Sequence, residues 1–249
     1  MRSVALIPAR MQSSRFPGKP LVGICGLPII IHVYLRCKLA RNLDDVFVAT
    51  DSLEIQKEVE HYGGKVIMTS AEHETGTDRI AEAAMQIKAD IIVNVQGDEA
   101  LVNPEYVDKV VNVLQQEPGV DVAMLVNPFS KRNSPSDIKV VLDEADNVLY
   151  LSRSDIPSDS RTSNPPMLKA YHIVPFRKSF LQKYASWEKG KLEQIEFNEY
   201  LRILEKGYKI RAVHVDSDAV SVDTQFDLDF VRKKMPHDSF FALYRHYVR

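Results

Sequence analysis

Through the first half of the chain, apolar and polar positions follow two alternating patterns. Short apolar runs at residues 4–7 (VALI), 45–49 (DVFVA), 65–68 (KVIM) and 90–96 (DIIVNVQ) have the length and β-branched content of buried strands. Between them, residues 28–40, 53–62, 80–87 and 104–116 carry apolar side chains at helical spacing. Pro28 and Pro104 suit first helical turns, and Gly63-Gly64 suits a helix end. Pro8, which cannot donate to a ladder, is expected to stop the first strand. This strand–helix rhythm predicts a parallel sheet with right-handed crossovers.

After residue 126 the rhythm breaks. A strand is expected over 120–126, then an antiparallel hairpin of 139–142 and 148–151 around a turn at 143–147. Residues 152–166 (SRSDIPSDSRTSNPP) read as a loop, and 168–174 as a further single strand. Residues 175–184 and 192–205 are expected to be helical. In the second, Glu193, Glu196, Glu199 and Arg202 share a face that reads as solvated. A strand over 209–215 and a helix from Gln225 to about Lys234 follow. The expected organisation is an α/β core of residues 1–126 and 189–249, with 127–188 as a smaller subdomain for a second substrate.

Composition narrows the function classes. The 249 residues are 45% hydrophobic and 27% charged, as in ordinary globular enzymes, with a net charge of -2 that draws neither nucleic acid nor an anionic membrane. No apolar run approaches the roughly 20 residues of a membrane helix, and residues 1–9 read as a core strand rather than a signal peptide. Cys25 and Cys37 are the only cysteines, which suits a reducing cytoplasm and matches no zinc spacing. His32 lies inside an apolar helical run and reads as a packed residue. The aromatic and basic segment 240–249 is expected to dock on the core or on a second subunit.

The candidate chemistry gathers at strand ends. After the first strand, Arg10, Ser13, Ser14, Arg15, Gly18 and Lys19 form a loop of cations, hydroxyls and glycine. Ligands of open α/β sheets bind beyond the carboxyl ends of strands, so this loop suits a polyphosphate. It is neither a Walker loop nor G-x-G-x-x-G: Ser13 stands where the first glycine should be, and Pro20 follows Lys19. Residues 75–79 (TGTDR) run into a helix that Thr75 or Thr77 can cap. Asp98 ends the 90–96 strand and either caps the next helix or holds a metal on a triphosphate. Asn103-Pro104-Glu105 already makes a helix start, which favours Mg²⁺. Asp223 stands at a strand-to-helix junction, an N-cap position taken alone and a second metal ligand beside Asp98.

The stretch 7–21, IPARMQSSRFPGKPL, resembles the signature loop of sugar nucleotidyltransferases, and within them the CMP-Kdo synthetase family (3-deoxy-manno-octulosonate cytidylyltransferases). VATD at 48–51, MTSAEHETGTDR at 68–79, VNVQGDEALVNPE at 93–105, KVVLD at 139–143, LYLSRSDIP at 149–157 and VDT at 222–224 extend the resemblance to about residue 231. It implies a Rossmann-like nucleotidyltransferase fold, α/β with a mostly parallel central sheet and a smaller mixed acceptor-binding subdomain. It also implies CTP as donor, Mg²⁺ as cofactor, an anionic small-molecule acceptor, a homodimer and a CMP-sugar product for lipopolysaccharide biosynthesis. By the same resemblance Arg10, Ser13, Arg15 and Lys19 hold the triphosphate, and Thr77 and Arg79 support the nucleotide, with Ala9 and Gln96 in the same site. Asp98 and Asp223 hold Mg²⁺, and with Arg10 and Lys19 they form the catalytic set.

The acceptor half departs from the family. Its K-H-I-G-I-Y-A-Y-R is met by KAYHIVPFR at 169–177, which puts Ala170 and Val174 where sugar-contacting His and Tyr stand; a two-residue shift brings in His172. The family's E-Q-L-R becomes Glu199-Tyr200-Leu201-Arg202, and its I-P-W becomes Ile156-Pro157-Ser158. Arg153, Glu199 and Tyr200 are the expected acceptor contacts. The expected acceptor is Kdo or a Kdo-like acid, amino- or deoxy-substituted first, with a small phosphonate second. A nucleotide-binding homologue without transfer activity is the alternative.

Overall fold

Strand β1 (Ser3–Ala9) is buried along its whole length, as its apolar run requires, and the first sheet is built around it. In the computed structural model, which describes the chain apart from residues 13–15, 218–219 and 249, two compact units form, Met1–Asp108 with Asp218–Arg249, and Lys109–Ser217. Ser13 and Arg15 lie outside the described residues.

The first unit continues with a small hairpin, β2 (Gly23–Ile24) and β3 (Leu27–Pro28). Then come α1 (Ile29–Lys38), β4 (Asp45–Thr50), α2 (Leu53–His61), β5 (Val66–Met68), α3 (Gly76–Met85) and β6 (Ile91–Val95). Its strands run in the order β6-β1-β4-β5. All are parallel, with Ser3 opposite Ile91, Val4 opposite Asp45 and Val48 opposite Val66. Helix α4 (Pro104–Gln116) carries the chain into the second unit.

Pro8 does not stop β1. The register with β6 ends at Leu6, while that with β4 continues through Pro8 to Ala9. A Cβ added to Gly97 would lie 2.7 Å from the Pro8 carbonyl oxygen. Pro8 therefore turns that side of its backbone toward the chain just past β6, where the ladder has ended and no donor is needed. Helix α3 also starts earlier than the apolar spacing indicated. The Thr75 hydroxyl caps it by accepting from the Asp78 amide at 3.1 Å, so Thr77 and Arg79 sit in its first turn rather than in a loop.

The second unit holds β7 (Ala123–Phe129), β8 (Lys139–Leu142), β9 (Val148–Ser152), β10 (Met167–Tyr171), β11 (Ile173–Arg177), α5 (Lys178–Ala185), α6 (Lys191–Glu196), α7 (Leu201–Glu205) and β12 (Arg211–His214). Its mixed sheet runs β12-β7-β10-β8-β9, with β12 parallel to β7 and the other pairs antiparallel. Residues 127–188 lie inside this unit, which extends further on both sides because β12 pairs with β7. The expected strand 168–174 is two strands parted at His172, the second taking residues assigned to a helix. The expected helix 192–205 breaks at Phe197, which takes φ 49° as the cap of α6. Its supposedly solvated face is not solvated. After the break, Arg202 returns to Glu193 with two hydrogen bonds of 2.6 and 2.8 Å, both side chains buried.

The chain then re-enters the first unit with α8 (Gln225–Lys234) and α9 (Ser239–Tyr244). The C-terminal aromatics dock on the core. The Tyr244 hydroxyl accepts from Arg36 Nε at 2.9 Å and lies 2.9 Å from His32 Nδ1, and Arg36 also donates to Asp238 at 2.5 Å. His32 Nε2 is 2.8 Å from the Ile24 carbonyl, so it donates there and Nδ1 accepts from Tyr244. Burial pushes the His32 imidazole down to about 4, keeping the ring neutral as a packed residue. Among the described residues no helix is long and apolar enough to cross a membrane.

Candidate active site

The site lies within the first unit, at the carboxyl edge of its parallel sheet. Because β1 and β6 run in parallel, Ala9-Arg10 and Gln96-Gly97-Asp98 leave the sheet at the same edge. Gly97 permits this close approach, since the 2.7 Å contact noted above excludes any side chain there. Gly18, at φ 69°, turns the loop back with its amide bonded to the Met11 carbonyl at 3.0 Å, and Lys19 opens a 3-10 turn.

Lys19 is where the carboxylates meet. Its Nζ is 2.6 Å from Asp98 Oδ2 and 3.2 Å from Asp223 Oδ1. Burial works against the ammonium, but Asp98 and then Asp223 outweigh it, and the Lys19 pKa is raised above its usual value. Neither carboxylate is spent on a helix start. Thr224 caps α8 in a reciprocal box with Asp227, and the Asn103 side chain accepts from the Glu105 amide at 2.8 Å at the head of α4.

Around this pair opens a cleft of about 260 Å³. Ala9, Arg10, Lys19, Arg79, Gln96, Asp98 and Asp223 all line it, as do Gln12, His73, Thr75, Gly76 and Gly97. Arg79 is nearly buried; it donates to Thr69 Oγ1 at 2.7 Å and pairs with Asp51 at 3.1 Å. Burial pulls the Arg79 guanidinium below its usual range, with Asp51 opposing and the like charge of Arg10 adding to it. An added phosphate would relieve that repulsion. Thr77 does not line the cleft: it is fully buried, and its hydroxyl accepts from Asn94 at 3.1 Å.

Sequence reasoning did not single out Gln12, His73 or Gly97. His73 bonds the Glu82 carboxylate, which also accepts from the Ser70 amide at 3.0 Å, so the ring braces the loop before α3. Burial favours protonated Glu82, but His73 and the Ser70 amide hold its carboxyl below the usual range. The signal was present, since His73 falls inside the 68–79 motif.

The second unit places the other expected residues as follows. Arg153 donates from Nε to the Glu196 carbonyl and from its terminal nitrogens to the carbonyls of Pro135 and Phe197, at 2.8, 2.8 and 3.1 Å. The Glu199 carbonyl accepts from the Tyr184 hydroxyl at 3.1 Å. Tyr200 is buried, stacked on His172 and Phe176 with ring centroids 5.9 and 6.5 Å apart. Ala170 and Val174 are fully buried. Ala170, Val174 and Tyr200 supply packing, and His172 and Glu199 are partly exposed polar groups near Tyr200.

A cleft lined by Arg10, Lys19 and Arg79, with Asp98 and Asp223 on Lys19, suits a polyanionic ligand. The family model described as Cytidylyltransferase matches residues 4–210. The chain belongs to the cytidylyltransferase family. Among similar proteins, the 3-deoxy-manno-octulosonate cytidylyltransferase of Syntrophobacter fumaroxidans is 44% identical over 247 residues, covering 96% of this chain and 99% of its own. The 8-amino-3,8-dideoxy-manno-octulosonate cytidylyltransferase of Shewanella halifaxensis is 40% identical over 245 residues, covering 96% and 100%. A solved CMP:2-keto-3-deoxy-manno-octonic acid synthetase complexed with CTP superposes with a TM-score of 0.91 at 38% identity, covering 95% of this cytidylyltransferase and 99% of that chain. The α/β nucleotidyltransferase fold expected from the motifs is thus the fold of this chain.

Proposed function

We propose that this cytidylyltransferase transfers CMP from CTP to Kdo or a Kdo-like sugar acid, the amino-substituted acid first, releasing pyrophosphate. The observation that carries the reading is Lys19 held between Asp98 and Asp223 in a cleft walled by Arg10 and Arg79, in a chain similar throughout to enzymes named for that chemistry. The acceptor hydroxyl oxygen attacks the α-phosphate in line, and the bond to the pyrophosphate oxygen breaks. Arg10, Lys19 and Arg79 neutralise charge on the phosphates, so the protein's part is positioning and electrostatics. No protein nucleophile is required.

Asp98 and Asp223 fit Mg²⁺. They converge on one point from two chain segments, and Mg²⁺ is usually held by one or two carboxylates plus substrate phosphates. Among the described residues no cluster of three or more His, Cys, Asp or Glu side chains stands ready for a metal, so the nucleotide completes the ligand set. When bound, the ion supplies Lewis acidity that lowers the acceptor hydroxyl's pKa.

The test is Mg²⁺-dependent pyrophosphate release from each nucleoside triphosphate, with Kdo, 8-amino-Kdo and 2-hydroxyethylphosphonate competing and the CMP product weighed by mass. CTP with a sugar acid is the expected pair. Release with UTP or ATP but not CTP overturns the cytidylyl assignment, and CTP binding without turnover on any acceptor points to an inactive homologue. The same reading has the enzyme working in the cytoplasm, with both cysteines free, and as a homodimer, for which velocity sedimentation is the check.

A further inference from the structure

Asp223 reaches Lys19 from a stretch without regular structure, residues 220–223, just ahead of α8. Two hydrogen bonds tie this stretch to the turn that carries Asp98. The Val222 amide donates to the Asp98 carbonyl at 3.1 Å, and the Ser221 hydroxyl donates to the Glu99 carboxylate. Glu99 is 1% exposed and Val222 fully buried. Adjacent residues thus face opposite ways, Asp98 into the cleft and Glu99 into the protein. On the α8 side, Asp227 Oδ2 accepts from the Asp223 amide at 3.2 Å and the Thr224 amide at 2.8 Å.

A buried carboxylate is expensive, and an apolar side chain would fill the same space at lower cost. One thing Glu99 supplies that an apolar residue cannot is a directional bond to Ser221. We propose that Glu99 and Ser221 are positioning residues for the transfer reaction: their clasp fixes Asp223 opposite Asp98, so that both carboxylates reach one point. The tolerance is small, because Asp223 is already 3.2 Å from Lys19 Nζ, and catalytic geometry loosened by about 1 Å costs large factors in rate. The proposal rests on the reading that Asp223 works in the reaction.

The experiment compares Ser221→Ala, Ser221→Thr and Asp223→Asn in the full chain. It measures kcat and KM for CTP, Mn²⁺ affinity in the presence of CTP from the free-ion EPR signal, and the melting temperature. Ser221→Ala is expected to lower kcat and Mn²⁺ affinity about tenfold, the scale of a lost hydrogen bond to a charged group. KM for CTP stays at the wild-type value while Tm falls by a few degrees, because the buried Glu99 loses a partner. Ser221→Thr, which keeps the hydroxyl, recovers most of both losses. Wild-type kcat and Mn²⁺ affinity in Ser221→Ala, with both lost in Asp223→Asn, overturns the clasp alone. Wild-type behaviour of Asp223→Asn overturns the role of Asp223 and the clasp with it. A parallel fall in Tm and CTP affinity in Ser221→Ala makes the pair structural and also overturns the proposal.

Discussion

Lys19 in the first unit and Arg202 in the second each sit against carboxylates, under different solvent. The Lys19, Asp98 and Asp223 side chains are 13%, 23% and 28% exposed, on the wall of an open cleft. Arg202 and Glu193 are sealed away, with the guanidinium 4.5 Å from the centroid of the Tyr184 ring. A lysine is a compact charge that can trade one oxygen for another, whereas an arginine fork is fixed by its two-pronged match to one carboxylate. The cleft pair is suited to giving way to a phosphate; the buried pair is suited to holding two short helices together.

Breaking the buried pair should be the costlier experiment for the fold. Arg202→Met leaves Glu193 charged and unpaired, and is expected to cost ~3–5 kcal/mol in urea unfolding. Replacing both partners with apolar residues should recover most of that. If the single variant unfolds like wild type, the contrast between the two pairs collapses.

In the cleft the same kind of change should spare the fold and strike the reaction. Asp98→Asn and Lys19→Ala are each expected to lower kcat/KM by about 10²–10³-fold, the scale of removing one charge-stabilising group, with melting temperatures near wild type. Loss of folding in Asp98→Asn would make it a structural residue. A folded variant with normal pyrophosphate release would remove it from the mechanism.

The buried network that joins His32, Tyr244 and the Arg36–Asp238 pair should fall between these and the half-buried Asp137–Lys169 pair. Tyr244→Phe removes the hydroxyl shared by Arg36 and His32 and should cost ~1–3 kcal/mol in thermal unfolding, without a change in kcat. The smallest effect is on the acid side. Burial favours protonated Asp137, but Lys169 at 2.5 Å and the Ser134 hydroxyl hold its pKa below the ordinary 3.8. A depressed carboxylate stabilises the fold above its ordinary value, and loses that as pH falls through its folded value. Asp137→Asn should therefore be less stable than wild type at pH 7, with the gap closing below about pH 3.8. A gap that widens toward acid would reverse the sign and refute the assignment.

The cleft was legible because its parts are local. Arg10, Gln96, Asp98 and Asp223 each lie in a short loop directly after a strand or before a helix, with Lys19 opening a 3-10 turn further along, and a parallel sheet brings such loops to one edge. Thr77 was read from the same motif, yet the earlier start of α3 turns it inward to Asn94. The Glu193–Arg202 pair was hidden because it depends on a chain reversal. Helical spacing put both residues on one outer face, and only the left-handed Phe197 turns α7 back on α6. Tyr200 looked like an acceptor contact by position, while its stacking on Phe176 depends on β11 being a strand, which apolar spacing does not distinguish from a helix start.

The division of the chain has a consequence for how the enzyme is made. The second unit is one uninterrupted stretch, but the first is assembled from residues 1–108 and 218–249, which precede and follow it. On the ribosome, β1 to β6 emerge first, and Arg36 waits for Asp238 and Tyr244, which follow the whole second unit. At about 5–20 residues per second the delay is on the order of ten seconds. Asp223 is the last residue of the cleft to be translated, so a nascent chain already carrying Arg10 and Lys19 still lacks part of the cleft wall.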